Sequence, residues 1–440
     1  MSTSTDVTLR DAFIYQVFVR NHTEEGTFKA LMEDLDRIRD LGVDILYLLP
    51  VHPIGEKHRK GSIGSPYSIK DYRAIDESLG SEEDFKALIE AVHDRGMKVM
   101  MDIVFNHTSY DSVLFNTHPE WFYQENGHYT NRIGDWWDIV DFDYEKANGL
   151  DDYLIETLEH YTQMGIDGYR FDVASFLPLS FLSKAHQAVK AIDPDTIWLS
   201  ESVHGDFLRG FRNEGFEGLS EGEIYRVFDM AYDYDTQPAM EAFMKGEGPL
   251  EDYIEWLRRQ EEIYPKNYIK MRNLENHDFG RIATYLKNDE TKLLNWHAFT
   301  FFSKGSTLIY AGGETLSDHH PDLFNKDPYI KGPKDISPMI RNLSQLTRGP
   351  LYTYGVYDIA KPEDQDVIYG HYTWKDTLSF GLFNIQALEG SVDVPLEDGV
   401  YENAINGKAV KIQAGQAKLS DAPLIIHSHK ANLKKEPAKV

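Results

Sequence analysis

Short runs of β-branched and aromatic residues alternate along this chain with stretches whose apolar residues recur at helical spacing, and no other feature constrains the fold as strongly. A strand, a helix and a second strand in succession need a crossover connection, which is right-handed and leaves the strands parallel. Residues 12–19 read as a first strand. Phe28, Leu31, Leu35, Ile38 and Leu41 then fall on one helical face, Gly42 closes that helix, and residues 43–49 read as a buried strand. Ser81 is placed to cap the next helix, whose inward stripe is Phe85, Leu88, Ile89 and Val92; Gly96 ends it before a strand at 98–105. Further strands are predicted at 168–173, 197–201, 224–230, 268–273 and 307–310, with a helix over 150–163 and a last one over 336–346. Eight strands in right-handed βα units over about 350 residues close most simply into an α/β fold, a (β/α)8 TIM barrel.

Two interruptions divide the pattern. Between residues 107 and 148, Trp121, Phe122, Tyr123, Tyr129, Trp136 and Trp137 sit among Gly, Asn and Asp without a period, which reads as a small insertion after strand three. After Gly349-Pro350 the runs at 367–372, 377–384, 391–394 and 424–427 alternate with turn residues and have no helices between them, the pattern of an antiparallel β-sandwich. The expected organisation is a barrel over 1–106 and 149–348, an inserted domain over 107–148 and a C-terminal sandwich over 349–440, with the tail from Lys430 frayed.

Composition narrows the partners. The chain carries 45 Lys and Arg against 72 Asp and Glu, a formal charge of −27, which repels nucleic acid and anionic membranes but leaves a neutral ligand unaffected. It has no cysteine, which excludes disulfides, thiolate metal sites and cysteine nucleophiles. Residues 1–10 are polar, without the apolar core of a signal peptide, and nothing approaches the roughly 18 continuous apolar residues of a membrane span. A cytoplasmic protein with neither nucleic-acid nor membrane partner is expected; oligomeric state is not written in the sequence.

A closed barrel presents the C-terminal ends of its strands on one face, so ionisable residues there are the candidates for chemistry. Four carboxylates qualify: Asp102 in DIVFNH, Asp172 in DGYRFDVAS, Glu201 in WLSES and Asp278 in LENHD. Two facing carboxyls suffice to hydrolyse a glycosidic bond, one as nucleophile and one as proton donor, provided that their pKa values are pushed apart. Arg170 and Asp172 stand at i and i+2 on one strand and leave by the same face, so the guanidinium keeps the aspartate ionised. Glu201 has serines on either side and an apolar strand behind it, a setting expected to raise its pKa by burial. Each of these features alone has a structural explanation, as an ion pair, a turn or a helix cap. Their coincidence at four strand ends on one face points to a site.

With those residues in view, the chain resembles the α-amylase family of glycoside hydrolases. DIVFNH is similar to that family's first motif, GYRFD to its second, the SES segment to its third and ENHD to its fourth, in the family's order and on strands three, four, five and seven. The resemblance implies a retaining cleavage of α-glucosidic, chiefly α-1,4, bonds in starch, maltodextrin or maltooligosaccharides by double displacement. In that role Asp172 matches the nucleophile, Glu201 the general acid/base and Asp278 the carboxylate that grips the sugar hydroxyls at the transition state. Asp102, His107, Arg170 and His277 match residues around the same sugar, and Tyr67, in GSPYSIKDY, matches the aromatic platform beneath it. Double displacement requires the two working carboxyls to stand about 5 Å apart.

The departures bear on specificity. Ser175 and Phe176 occupy positions where the family's second motif often ends in Lys-His, and Ser200 replaces the usual Gly before the glutamate. Both put the grip on the leaving-group side of a long glucan in question, and an α-glucosidase, transglycosidase or phosphorylase-type enzyme acting on short α-glucosides is the alternative. A non-catalytic, transporter-associated relative would lack the carboxylates and carry a membrane segment. Asn106 and Asp141 match side chains that hold a structural calcium in many members, and oxygen ligands suit that ion. The chemistry itself calls for no cofactor.

Overall fold

The computed structural model describes residues 5–434. Eight parallel strands, Phe13–Val17, Ile45–Leu48, Lys98–Ile103, Gly168–Phe171, Ile197–Ser200, Met230–Tyr232, Lys270–Arg272 and Ser306–Tyr310, form one closed barrel in which neighbours follow chain order. The second strand, Ile-Leu-Tyr-Leu, is buried on both faces, as a strand enclosed by a ring of helices must be. Registers are continuous where they position the site: Asp102 stands opposite Arg170, Arg170 opposite Leu199 and Phe171 opposite Ser200.

Local chemistry explains the helices between the strands. In Phe28–Asp40, Phe28, Leu31, Leu35 and Ile38 are all fully buried on one stripe, and the Thr27 side chain accepts from the Ala30 amide to cap the start. Gly42, at φ 93°, takes the left-handed conformation that ends this helix, with its amide bonded to the Arg39 carbonyl at 2.8 Å. Ser81 caps Glu82–His93 as expected, and Asp84 completes a capping box with it. The predicted helix at 150–163 is Leu150–Met164, and the last one is Ser337–Leu346. The sixth strand differs from expectation: it occupies Met230–Tyr232, because Glu223 bonds back to the Ser220 amide and turns Glu221–Ile224 into a short helix.

After strand three, His107–Ser109 pairs antiparallel with Ile139–Asp141, and a small hairpin joins Gln124–Glu125 to His128–Tyr129. The C-terminal region holds two four-stranded antiparallel sheets. One runs in the order Val356–Ala360, Ile368–Trp374, Thr377–Phe383, Leu424–His429, the other Ser391–Asp393, Gln416–Lys418, Ala409–Gln413, Gly399–Glu402. Leu378, Phe380 and Leu382 alternate inward from one sheet and meet Val392, Ile412 and Ala417 from the other. Four of these eight strands, Val356–Ala360, Gly399–Glu402, Ala409–Gln413 and Gln416–Lys418, have no counterpart in the predicted set. They are short, and much of their surface, Val356 and Val400 included, faces solvent, so their apolar alternation is weak. The tail is ordered further than expected: Lys430–Asn432 forms a 3-10 turn and Leu433 bridges to Leu396, while residues 435–440 lie outside the described part.

The chain divides into two compact units, one of Ile14–Tyr234 with His319–Ile330, the other of Asp6–Phe13, Asp235–Asp318 and the chain from Lys331 on. Among the described residues, no helix is long and apolar enough to cross a membrane.

Candidate active site

In the first unit, parallel register alone gathers the acidic strand ends. Asp172 follows strand four, with its amide on the Ile103 carbonyl at 2.9 Å; Glu201 follows strand five, with its amide on the Phe171 carbonyl at 3.0 Å. Each therefore extends a ladder by one residue, at the same end of adjacent strands as Asp102.

A single guanidinium organises the three. Arg170 is fully buried, and its Nη1 donates to Asp102 Oδ1 at 2.8 Å, Asp102 Oδ2 at 3.1 Å and Asp172 Oδ1 at 3.0 Å. Its Nη2 lies 3.0 Å from Glu201 Oε2, an ion-pair contact without hydrogen-bond alignment. Burying three carboxylates around one cation leaves excess negative charge, which hydrogen-bond donors must offset. Tyr47 and Tyr67 donate to Asp102 Oδ2 at 2.7 and 2.8 Å, and the Val173 amide donates to Glu201 Oε2 at 2.7 Å. Tyr47 and Tyr232 bring their hydroxyls within 3.3 Å of each other. The Arg170 head also lies over the rings of Tyr67 and Tyr232, at 5.6 and 5.2 Å from their centroids. Burial pushes the Asp102 carboxyl up to about 6; Arg170 and the tyrosine hydroxyls oppose that rise.

Glu201 thus departs from expectation. Its carboxylate does not rest in an apolar pocket between serines; it shares the arginine that also holds Asp172. Val173, which supplies the amide, has φ 37°, a left-handed conformation that a β-branched residue adopts only under constraint and that costs on the order of 1–3 kcal/mol. Sequence carries no sign of that strain, nor of Tyr47 and Tyr232, whose hydroxyls look like core residues until the barrel closes around them.

His107 Nε2 lies 3.9 Å from Asp172 Oδ2, and Nδ1 is 3.1 Å from Asn106 Nδ2. Burial lowers the His107 pKa to about 3, against a hydrogen bond to the Tyr67 backbone that raises it, so the ring is a neutral polar group at ordinary pH. Asn106 Nδ2 and Asp141 Oδ1 come together at 3.4 Å. The other oxygen of Asp141, however, accepts from the Arg132 amide at 2.8 Å and lies 3.3 Å from the Arg132 guanidinium. That guanidinium also donates to the Phe142 carbonyl at 3.0 Å and sits over the Tyr123 ring at 4.3 Å. The donor set fits an arginine clamp and does not fit a calcium cage. Among the described residues, no group of three or more His, Asp or Glu could hold a metal.

Ser175 and Phe176 are buried: Phe176 stacks on Phe211 with centroids 4.0 Å apart, and Ser175 Oγ accepts from the Val203 amide at 3.2 Å.

In the second unit, His277 and Asp278 lie on the loop after strand seven. Asn276 Oδ1 accepts from the Asp278 and Phe279 amides at 2.8 and 2.9 Å, a turn that fixes the pair, and His277 Nε2 lies 3.2 Å from Asp278 Oδ2. Glu275 anchors the loop, pairing with buried Arg281 at 2.5 Å and accepting from the Ile282 amide at 2.9 Å, and Arg281 Nη2 reaches the Ala311 carbonyl at 2.6 Å. The His277 side chain is buried, whereas that of Asp278 is 42 % exposed.

The family described as "Alpha amylase, catalytic domain" matches residues 13–342, and "Bacterial Alpha amylase C-terminal domain" matches 358–426. The crystal structure of an α-amylase from Lactobacillus plantarum superposes with a TM-score of 0.93 at 40% identity, covering 96% of this chain and 100% of that one. A maltogenic α-amylase from Thermotoga neapolitana gives 0.84 at 31% identity, covering 96% and 99%. The intracellular maltogenic amylase of Bacillus subtilis is 27% identical over 379 residues, which is 79% of this chain and 57% of that protein. The chain spans about half the length of the first curated relatives it matches, 44% of the α-amylase MalA of Haloarcula japonica among them. Matched over most of its length by the catalytic-domain description, this chain belongs to the α-amylase family of glycoside hydrolases.

Proposed function

We propose that this protein is a retaining glycoside hydrolase that cleaves α-1,4-glucosidic bonds in maltooligosaccharides, maltodextrin or starch. The observation that carries the reading is the Arg170 guanidinium shared by Asp102, Asp172 and Glu201 at the ends of adjacent strands. The maltogenic relatives support the substrate class, and the description of the Bacillus subtilis protein as intracellular supports a cytoplasmic location. A neutral sugar feels no net repulsion from a chain of charge −27.

In this mechanism the Asp172 carboxylate attacks the anomeric carbon while Glu201 passes its proton to the departing glycosidic oxygen, leaving a glycosyl ester on Asp172. Glu201, now ionised, takes a proton from water, whose oxygen attacks the same carbon and frees Asp172. Tyr67 stacks beneath the ring, and Asp102 and His107 line the same subsite; the family resemblance gives Asp278 and His277 the role of binding sugar hydroxyls. Proton NMR of maltoheptaose during cleavage tests this reading: the α-anomer should appear first, and early β-anomer or absence of cleavage would refute it.

The buried Ser175 and Phe176 favour a second reading. Ser and Phe in place of Lys-His would weaken the grip on a long leaving group, and the enzyme would then act on short α-glucosides as an α-glucosidase or transglycosidase. Chromatography of maltoheptaose products, with and without added glucose or phosphate, separates the two.

The insertion is held, in this reading, by Arg132 in place of a metal. Chelator should leave the unfolding temperature unchanged, while Arg132→Ala, which strips buried Asp141 of its cationic partner and leaves it the Asn106 side chain and the residue-132 amide, should destabilise the protein by about 3 kcal/mol in urea titration. A large fall in unfolding temperature with EDTA, restored by calcium, would contradict it.

A further inference from the structure

Of the seven tryptophans, Trp137 stands apart: it is 61 % exposed, while Trp121, Trp198 and Trp296 are at most 6 % exposed and the other three are half-buried. Single exposed apolar side chains are ordinary on a protein surface, so exposure alone assigns nothing to Trp137; what sets it apart is how its ring is held.

Its neighbours in the first unit show how it is held. Trp136 turns the opposite way, its ring 5.7 Å from His107 and 6.1 Å from Phe207, into the cluster that contains Val173, Phe176 and Phe211. Asp138, on the other side, is buried; its carbonyl accepts from Ser68 Oγ at 2.9 Å, and Ser68 follows Tyr67. The segment is closed by the Ile139 amide on the Trp136 carbonyl at 3.1 Å and by Asn131 Nδ2 on the same carbonyl at 3.0 Å. Trp137 is therefore fixed between a ring packed on His107 and a carbonyl tied to the residue after Tyr67, at the rim of the proposed site.

One side of the indole is already engaged. Lys60 Nζ lies 4.5 Å from its ring centroid, 5.8 Å from that of Phe324 and 2.8 Å from Asp138 Oδ1, with its side chain only 17 % exposed. A lysine so confined orients the ring by cation–π contact and has its charge matched by Asp138. The large remaining exposure leaves the rest of the indole open to solvent. A pyranose presents one face of C–H bonds with its hydroxyls at the edge, which suits a flat, neutral aromatic surface. A ring ordered before binding loses little side-chain entropy when the sugar arrives.

We propose that Trp137 is a stacking platform for a glucosyl unit of the substrate away from the bond being cleaved, with Lys60 as the residue that positions it. The inference rests on the glucan reading above and adds a subsite and a chain-length preference to it. Trp137→Ala should raise KM for maltoheptaose about tenfold with kcat little changed, and should leave kcat/KM for maltotriose within about twofold. Trp137→Phe should restore most of the binding, and Lys60→Met should give an intermediate KM because the ring is present but less ordered. Direct titration of maltoheptaose into Glu201→Gln, with and without Trp137→Ala, measures the same contact without turnover, and indole fluorescence should shift only where Trp137 is present. Equal losses on both substrates, or unchanged KM and affinity for maltoheptaose, would overturn the platform. If the unaltered protein neither binds nor cleaves any maltooligosaccharide, the glucan reading itself fails, an outcome distinct from an active enzyme indifferent to Trp137.

Discussion

Asp172→Asn is expected to lower kcat/KM for maltoheptaose by roughly 10⁴-fold or more, and Glu201→Gln by about 10²–10⁴-fold, with both proteins folded. The two losses should differ in kind. Without Asp172 no carboxylate attacks the anomeric carbon, so no substrate escapes the defect. Without Glu201 the defect is in protonating the leaving oxygen, and a substrate whose leaving group needs no proton, such as α-glucosyl fluoride, should recover much of its first-step rate. Both side chains already pair with Arg170, and Asn or Gln keeps the shape while removing the charge. Circular dichroism should therefore be unchanged. Near-normal turnover by either variant would remove the assignment.

The second large effect is on stability as well as rate. Arg170→Ala leaves Asp102, wholly buried, with only the Tyr47 and Tyr67 hydroxyls, and leaves Asp172 and Glu201 without their common cation. Removing one partner from a buried ion pair costs about 3–5 kcal/mol, and here one cation serves three carboxylates. Arg170→Lys should rescue only part of this, because a single ammonium cannot span the positions that Nη1 and Nη2 occupy together. Combining Arg170→Ala with Asp102→Asn should recover some stability by removing the most deeply buried charge, but no activity. Urea unfolding and initial rates on the same samples check the set; an Arg170→Ala protein within about 1 kcal/mol of the original would show that the network contributes little to the fold.

What can be read from the chain is local in origin. The stripe Phe28, Leu31, Leu35, Ile38, the Ser81 cap and the buried run Ile-Leu-Tyr-Leu depend on neighbours a few residues away, so their periods survive in the sequence. The sixth strand lies beyond its expected place because the Ser220–Glu223 interaction starts a short helix that ends at Ile224, and the chain turns through residues 225–227 before it extends at Met230. In the C-terminal sheets, the short strands whose outward faces meet solvent carry too little alternation to register.

The site divides along the same line. The motif residues can be named from the chain, and the i, i+2 parity of Arg170 and Asp172 already implies their contact at 3.0 Å. That Glu201 leans on the same guanidinium depends on the register between strands four and five, which places Phe171 opposite Ser200. The insertion shows it again. Asn106, named with Asp141 through the family resemblance, meets it at 3.4 Å beside the pairing of His107 with Asp141, yet the second oxygen of Asp141 is taken by Arg132, nine residues away around a loop with no period of its own.

The amino-acid sequence by itself determined the order of the barrel's strands, the faces of its helices and the identity of its candidate reacting groups, since these follow from side-chain periodicity and residue chemistry. Only the tertiary structure decided that three acids share one arginine, that Val173 is held in a left-handed conformation to offer its amide, and that one indole of an adjacent pair packs inward while the other faces solvent. Those outcomes are set by contacts between segments far apart in the chain, where charge balance, steric constraint and the limited space of a closed barrel override what any short stretch of residues prefers.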